Sequence, residues 1–153
     1  MSKVTMEKDG ATIRVADALV TEHEALGWHV KSIANSLANA DITIGEQDTD
    51  TINVTIQLQD ANGDALAEAM SLQAYLSDDV DGLGVTSGAP DGHVAIGTAG
   101  GCIHLVTDRV FLLNTNIAGA LDLDLVESGA DTWYLVLVFP NGERVVSDAI
   151  TFA

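Results

Sequence analysis

The sequence predicts a mainly β protein: an antiparallel β-sandwich preceded by a small ββα N-terminal module. Three observations carry this expectation. Ile52, Val54, Ile56 and Leu58 alternate with Asn53, Thr55, Gln57 and Gln59, the period-two pattern of a strand wet on one side. Residues 132–139, Thr-Trp-Tyr-Leu-Val-Leu-Val-Phe, form an unbroken β-forming run apolar on both faces, which belongs inside a layered core. From Asp41 onward short apolar runs recur between Gly, Asn and Asp turns, at the spacing of an all-β sandwich.

In chain order, residues 4–6 and 11–15 flank Lys8-Asp9-Gly10, a hairpin with an Asp-Gly turn. A short helix is expected from Asp17, with Asp17 as N-cap, Leu19, Val20, His23 and Leu26 on one stripe, and Gly27 at the C′ position before Trp28. A unit of this size buries too little to be stable alone, so residues 1–31 read as a module that docks on something larger. Residues 32–40 are small and polar and read as a linker, with a short helix as the competing assignment.

The sandwich is expected over residues 41–153. Ile42 and Ile44 open it, residues 52–59 follow, and Asp60-Ala61-Asn62-Gly63-Asp64 turns the chain into a strand over 70–76. Residues 77–92 form a long loop of Asp, Gly and Ser. Short strands are expected at 93–96, 102–106 and 110–113, then at 120–126, where Leu121, Leu123 and Leu125 alternate with Asp122 and Asp124. After residues 132–139, Pro140-Asn141-Gly142-Glu143 turns the chain into one last strand over 144–152. Trp133 and Tyr134 point to opposite faces, one into the core and one toward an interface.

Charge narrows the function. Six Lys and Arg stand against 23 Asp and Glu, a net of −17, which excludes binding to nucleic-acid phosphates. With 47% apolar residues the acid reads as a solvated outer surface rather than as disorder. The distribution is uneven. Lys3, Lys8, Arg14 and Lys31 nearly balance Glu7, Asp9, Asp17, Glu22 and Glu24, a net of −1 over residues 1–31, so the remaining residues hold −16. A single cysteine, Cys102, allows no internal disulfide and no Cys-based zinc site. No stretch resembles a signal peptide or a membrane span, so synthesis in a reducing cytoplasm is expected, with no membrane partner.

Motifs that could carry chemistry read as structure. Asp60 to Asp64 has the carboxylate-amide-carboxylate spacing of a calcium loop but lacks the downstream Glu, and Asn62-Gly63 suits a turn. Asp78, Asp79 and Asp81 crowd three carboxylates into a loop that is solvated or traps a cation. His23, His29, His93 and His104 show no metal-site spacing, and no Gly-x-Ser-x-Gly nucleophile turn is present. Gly97-Thr98-Ala99-Gly100-Gly101 has no Lys and precedes a strand, so it reads as a turn rather than a phosphate loop. Cys102 reads as a small buried hydrophobe. The expectation is no enzyme, no cofactor and no resident metal.

Two sets of residues carry a resemblance. The opening Val4-Thr5-Met6-Glu7-Lys8-Asp9-Gly10, Ile13-Arg14-Val15 and Leu26-Gly27-Trp28 resembles a small hairpin-helix module of tailed-bacteriophage virion proteins. Residues 52–63, 74–79 and 133–142 resemble immunoglobulin-like head decoration (cement) or head-fibre proteins. The resemblance implies an immunoglobulin-like sandwich on the capsid exterior of a virion, bound to the major capsid protein as a homo-oligomer, a trimer being one candidate. Lys3, Lys8, Arg14 and Trp28 are the expected capsid-docking residues, because the first module holds four of the six basic residues. The competing expectation is a fibre or tail module that binds host-surface carbohydrate through Asp78, Asp79 and Asp81, with calcium as an aid.

Overall fold

The computed structural model describes residues 3–30 and 36–153, and the chain divides into two compact units, Met1–Asn35 and Ser36–Ala153. In the first unit β1 (Lys3–Lys8) pairs antiparallel with β2 (Ala11–Ala16). Asp9 and Gly10 both take positive φ, +50° and +79°, as a tight turn matching strand twist demands. A 3-10 turn over Asp17–Leu19 leads into α1 (Val20–Ala25). A short β3 (His29–Val30), absent from the sequence expectation, returns to β1 and gives the order β2-β1-β3.

The helix corrects one expectation. Asp17 does not cap α1, because the 3-10 turn intervenes and Leu19 holds the cap position without a side-chain bond. The stripe of Leu19, Val20, His23 and Leu26 is not buried within this unit: α1 buries none of its residues, and Leu19 and Leu26 are exposed. Gly27 does occupy C′, at φ +82°. Its N–H donates to Glu24 O and that of Trp28 to His23 O, the paired bonds that satisfy a helix's last carbonyls.

The second unit holds β4 (Asn39–Asp48), β5 (Thr51–Gln59), β6 (Ser71–Ser77), β7 (His93–Ile96), β8 (Gly101–Val106), β9 (Val110–Asn114), β10 (Ala120–Val126), β11 (Thr132–Val138), β12 (Arg144–Val146) and β13 (Ile150–Thr151). One antiparallel sheet has the order β4-β5-β10-β7 and the other β12-β11-β6-β9-β8, with β13 also on β11. The expected linker is shorter than its sequence suggests. Asn39 and Ala40 already pair with Gln59 and Leu58, and Ala40 is buried, so β4 starts inside it. Residues 32–35 lie outside the described residues.

Alternation dictates the core. Ile52, Val54, Ile56 and Leu58 of β5 face inward with Leu121, Leu123 and Leu125 of β10. Leu72, Ala74 and Leu76 of β6, Phe111 and Leu113 of β9, and Trp133, Leu135 and Leu137 of β11 belong to the same buried cluster. Trp133 meets Phe152 edge-on at 6.0 Å, so it is the core aromatic of its pair, and Tyr134 on the other face is half-buried. Each large side chain so buried contributes about 1.5–3 kcal/mol relative to exposure.

Val136 is also fully buried, on the outer face of β11. What covers it is the loop of residues 78–92. A Cβ on Gly82 would stand 2.7 Å from Val136 Cγ2 and 3.1 Å from Val146 Cγ2, so the loop backbone rests directly on that face. Tyr75 Oη and Arg144 Nη1 both donate to Gly82 O, at 2.6 and 2.9 Å, and hold it there. The last strand is not continuous as expected. Ser147 Oγ accepts the Leu135 N–H at 2.9 Å, its own N–H donates to Leu135 O, and β12 and β13 are separate pieces on either side.

Candidate interaction surfaces

The expected docking residues are spread along the first unit. Lys3 and Lys8 sit at opposite ends of β1, five residues or roughly 17 Å apart. Arg14 pairs with Thr5 on β2, between them in register. Lys8 is engaged within the unit: its Nζ donates to Leu26 O at 2.7 Å, an orphan carbonyl at the end of α1. Trp28 is half-buried.

The acidic loops are spent on themselves. Asp60 Oδ1 accepts the N–H groups of Asn62 and Asp64, an Asx turn. Asp78 accepts from Thr86 Oγ1 and the Ser87 N–H, and Asp79 Oδ1 from the Asp81 N–H at 2.7 Å. Among the described residues no three His, Cys, Asp or Glu side chains come together as a metal-binding group. At the far end of the same loop Asp91 accepts from Ser128 through the hydroxyl and the N–H, which hold its carboxyl below the usual carboxylate value. Glu127 answers by accepting the Asp91 N–H at 2.9 Å and the Gly129 N–H at 2.7 Å.

Sequence reading placed Asp122 on the wet side of β10, yet only 7% of it is exposed. The glycine-rich segment after β7 folds over it. Asp122 accepts the N–H groups of Thr98 (2.9 Å) and Ala99 (2.6 Å) and the Asn53 amide (3.0 Å). A Cβ at Gly97 would overlap that carboxylate, which is why the segment needs glycine there. Burial raises the Asp122 carboxyl, but the Thr98 N–H, the Asn53 amide, the Ala99 N–H and the Thr98 hydroxyl outweigh it and bring it below the usual value. The loop has the donors of an anion site and applies them to the chain's own carboxylate.

Beside that carboxylate the outer face of the four-stranded sheet is hollowed. A depression of about 470 Å³ is lined by Asp41 and Thr43 of β4, Asn53, Thr55 and Gln57 of β5, and Thr98 and Ala99 of the loop, with Ala120 of β10 between them. The rows follow from register: Asp41 stands opposite Gln57 and Gln57 opposite Ala120, while Thr43 stands opposite Thr55 and Thr55 opposite Asp122. These polar positions were legible as a wet face, but their pairing with residues some sixty positions later was not.

The second surface is the edge strand β8. Ile103, Leu105 and Val106 are 54%, 53% and 40% exposed, and Gly101 to Val106 includes no Asp, Glu, Lys or Arg. Its ladder with β9 slips between His104 and Val106, leaving Leu105 proud of the register. Two other edges, β4 and β12, are guarded. β4 carries Asp41, Glu46 and Asp48 and a bulge, and β12 is three residues long and begins with Arg144. The His104 ring meets Phe111 edge-on at 5.2 Å, and Nδ1 accepts the Asp108 N–H and lies 3.4 Å from Asp108 Oδ1. Cys102 is half-buried, and burial with the nearby Asp108 charge pushes its thiol up to about 11.

No helix among the described residues is long and apolar enough to cross a membrane. Comparison with protein-family models and with curated proteins finds no match to this chain.

Proposed function

We propose that this chain is a structural protein of a tailed-bacteriophage particle, a module that decorates the outside of the capsid and binds its assembled lattice. The observation that carries this reading is a contrast within the second unit. Its loop carboxylates Asp78, Asp79, Asp91, Asp122 and Glu127 are engaged in stapling their own loops, whereas β8 exposes Ile103, Leu105 and Val106 beside an edge that no other described strand pairs. Such an edge suits contact with a neighbour, including further copies of the same chain in a homo-oligomer.

The sequence resemblance to head decoration proteins supports the same reading, and so does connectivity. With β4 to β6 as strands A to C and β10 to β12 as E to G, the sheets run A-B-E and G-F-C, as in immunoglobulin-like domains, with β7 in the D position. The β8–β9 hairpin, placed after β7 and beside β6, departs from that pattern. A decorating protein binds lattice and not free subunits, so its binding free energy is added to the shell. At a free concentration of a hundred times Kd each site contributes about 2.7 kcal/mol.

The test is co-sedimentation of the purified chain with assembled tailed-phage shells and, separately, with unassembled capsid subunits. Saturable binding to shells alone is expected. Equal binding to subunits, or binding to a host-surface glycan with none to shells, would overturn the decoration reading and favour a fibre or tail module.

A further inference from the structure

We propose that the depression on the outer face of β4, β5 and β10 is a binding site for a guanidinium group, presented as an arginine side chain on the surface of a protein partner. The inference does not depend on whether that partner is a capsid.

It rests on how the hydrogen-bonding groups in the depression are divided. Both amide side chains have their nitrogens occupied. Asn53 Nδ2 donates to Asp122 Oδ2 at 3.0 Å and Asp124 Oδ1 at 2.7 Å, and Gln57 Nε2 reaches the carbonyls of Leu58, Ala118 and Gly119 at 3.0, 3.0 and 3.3 Å. Each nitrogen is surrounded by acceptors alone, so neither amide can be turned over without setting oxygen against oxygen. The N–H groups of Thr98 and Ala99 are likewise taken by Asp122.

What is left for a ligand is therefore acceptor-rich. Asn53 Oδ1, Gln57 Oε1 and the exposed Asp41 carboxylate accept nothing from the described residues, and only the hydroxyls of Thr43 and Thr55 can donate. No Lys, Arg or His lines the depression. A sugar would bring as many acceptors as donors and would find few donors to meet them. A guanidinium brings five donors and no acceptor, in a plane that can span side chains on strands about 4.8 Å apart. An ammonium offers its donors from one point and spans them less well. Ala120 leaves room on the floor between Gln57 and the Thr98–Ala99 backbone.

The site is open rather than enclosed, which suits a side chain delivered by a partner's surface. The −16 charge on residues after 31 would draw such a basic surface in.

Titration of the full ¹⁵N-labelled chain at low salt with acetyl-Gly-Arg-Gly-amide tests this, against the same peptide with citrulline or lysine in place of arginine. The arginine peptide is expected to shift the resonances of Asp41, Thr43, Asn53, Thr55 and Gln57, and the uncharged citrulline peptide to shift none. Asp41→Asn, at an exposed position, should weaken binding about fivefold, the loss of one charge-assisted contact near water. Ala120→Leu should abolish it by filling the floor; if that variant fails to fold, Asp41→Asn alone decides. Shifts scattered over the acidic surface, equal binding of the citrulline or lysine peptide, or an unaltered affinity in Asp41→Asn would each overturn the assignment.

Discussion

Replacing Asp122 with Asn keeps shape and removes charge, and the structure says what that change should do. The carboxylate accepts from Thr98 N, Ala99 N and Asn53 Nδ2, at 2.9, 2.6 and 3.0 Å. Hydrogen bonds to a charged acceptor are worth about 1.5–3 kcal/mol each, against about 1 kcal/mol between neutral groups. With the new amide's oxygen toward Thr98 and Ala99, its nitrogen must face the nitrogen of Asn53. That amide cannot turn away, because its other hydrogen is held by Asp124. Weakened bonds plus one donor-donor clash amount to about 3 kcal/mol, or about 10 °C in Tm for a unit of this size. Urea unfolding followed by circular dichroism measures it. The sign with pH follows from the lowered carboxyl. Its stabilisation is fully present above the unfolded carboxylate value of about 4 and is lost as pH falls through the lower folded value. The gap between wild type and Asp122→Asn should hold from pH 7 to 5 and close below about pH 4. A variant within about 0.5 kcal/mol of wild type at neutral pH would refute the idea that this carboxylate holds the loop.

Other outcomes follow from single contacts. Gly119→Ala combines φ +72° with overlap of the Leu66 carbonyl and should cost about 3 kcal/mol or more. Gly63→Ala, at φ +82° but in open space, should cost about 1 kcal/mol, and urea midpoints compare them. Ser147→Ala leaves the Leu135 N–H without its 2.9 Å acceptor and should lose about 1–2 kcal/mol in the same assay. The Cys102 thiol, raised to about 11, should react with a thiol reagent at pH 8 at least about tenfold more slowly in the folded chain than in urea. Ile103→Lys with Leu105→Lys should leave stability within about 0.5 kcal/mol while lowering any self-association seen by sedimentation, because both side chains are about half exposed.

Period-two alternation made β5 and β10 legible, because each has one face toward a shared core. It could not separate Asp122 from Asp124. Both have outward parity, and only the fold of residues 97–100 back over β10 buries one of them. The apolar run of β11 correctly implied cover on both faces. Its second cover is a loop seated by Gly82 rather than a further layer of regular structure, and no period-two or helical pattern in that loop marks it as a cover. The break between β12 and β13 depends on one hydroxyl replacing a ladder bond, a substitution no hydropathy pattern records. In the first unit the helix signals located Gly27 but misplaced the start, since a 3-10 turn satisfies the same local preferences as a first helical turn. The outer-face depression arises from pairing across long separations, so its members were visible only as scattered polar positions.

Hydrogen exchange of the chain, free and bound to assembled shells, tests most directly the claim that it works as a rigid surface offered to a neighbour. The amides of β5, β10 and β11 should be protected equally in both states, with new protection confined to surface segments such as β8 or the first unit. Identical exchange everywhere in the presence of shells, or protection of the core strands that appears only on binding, would contradict it.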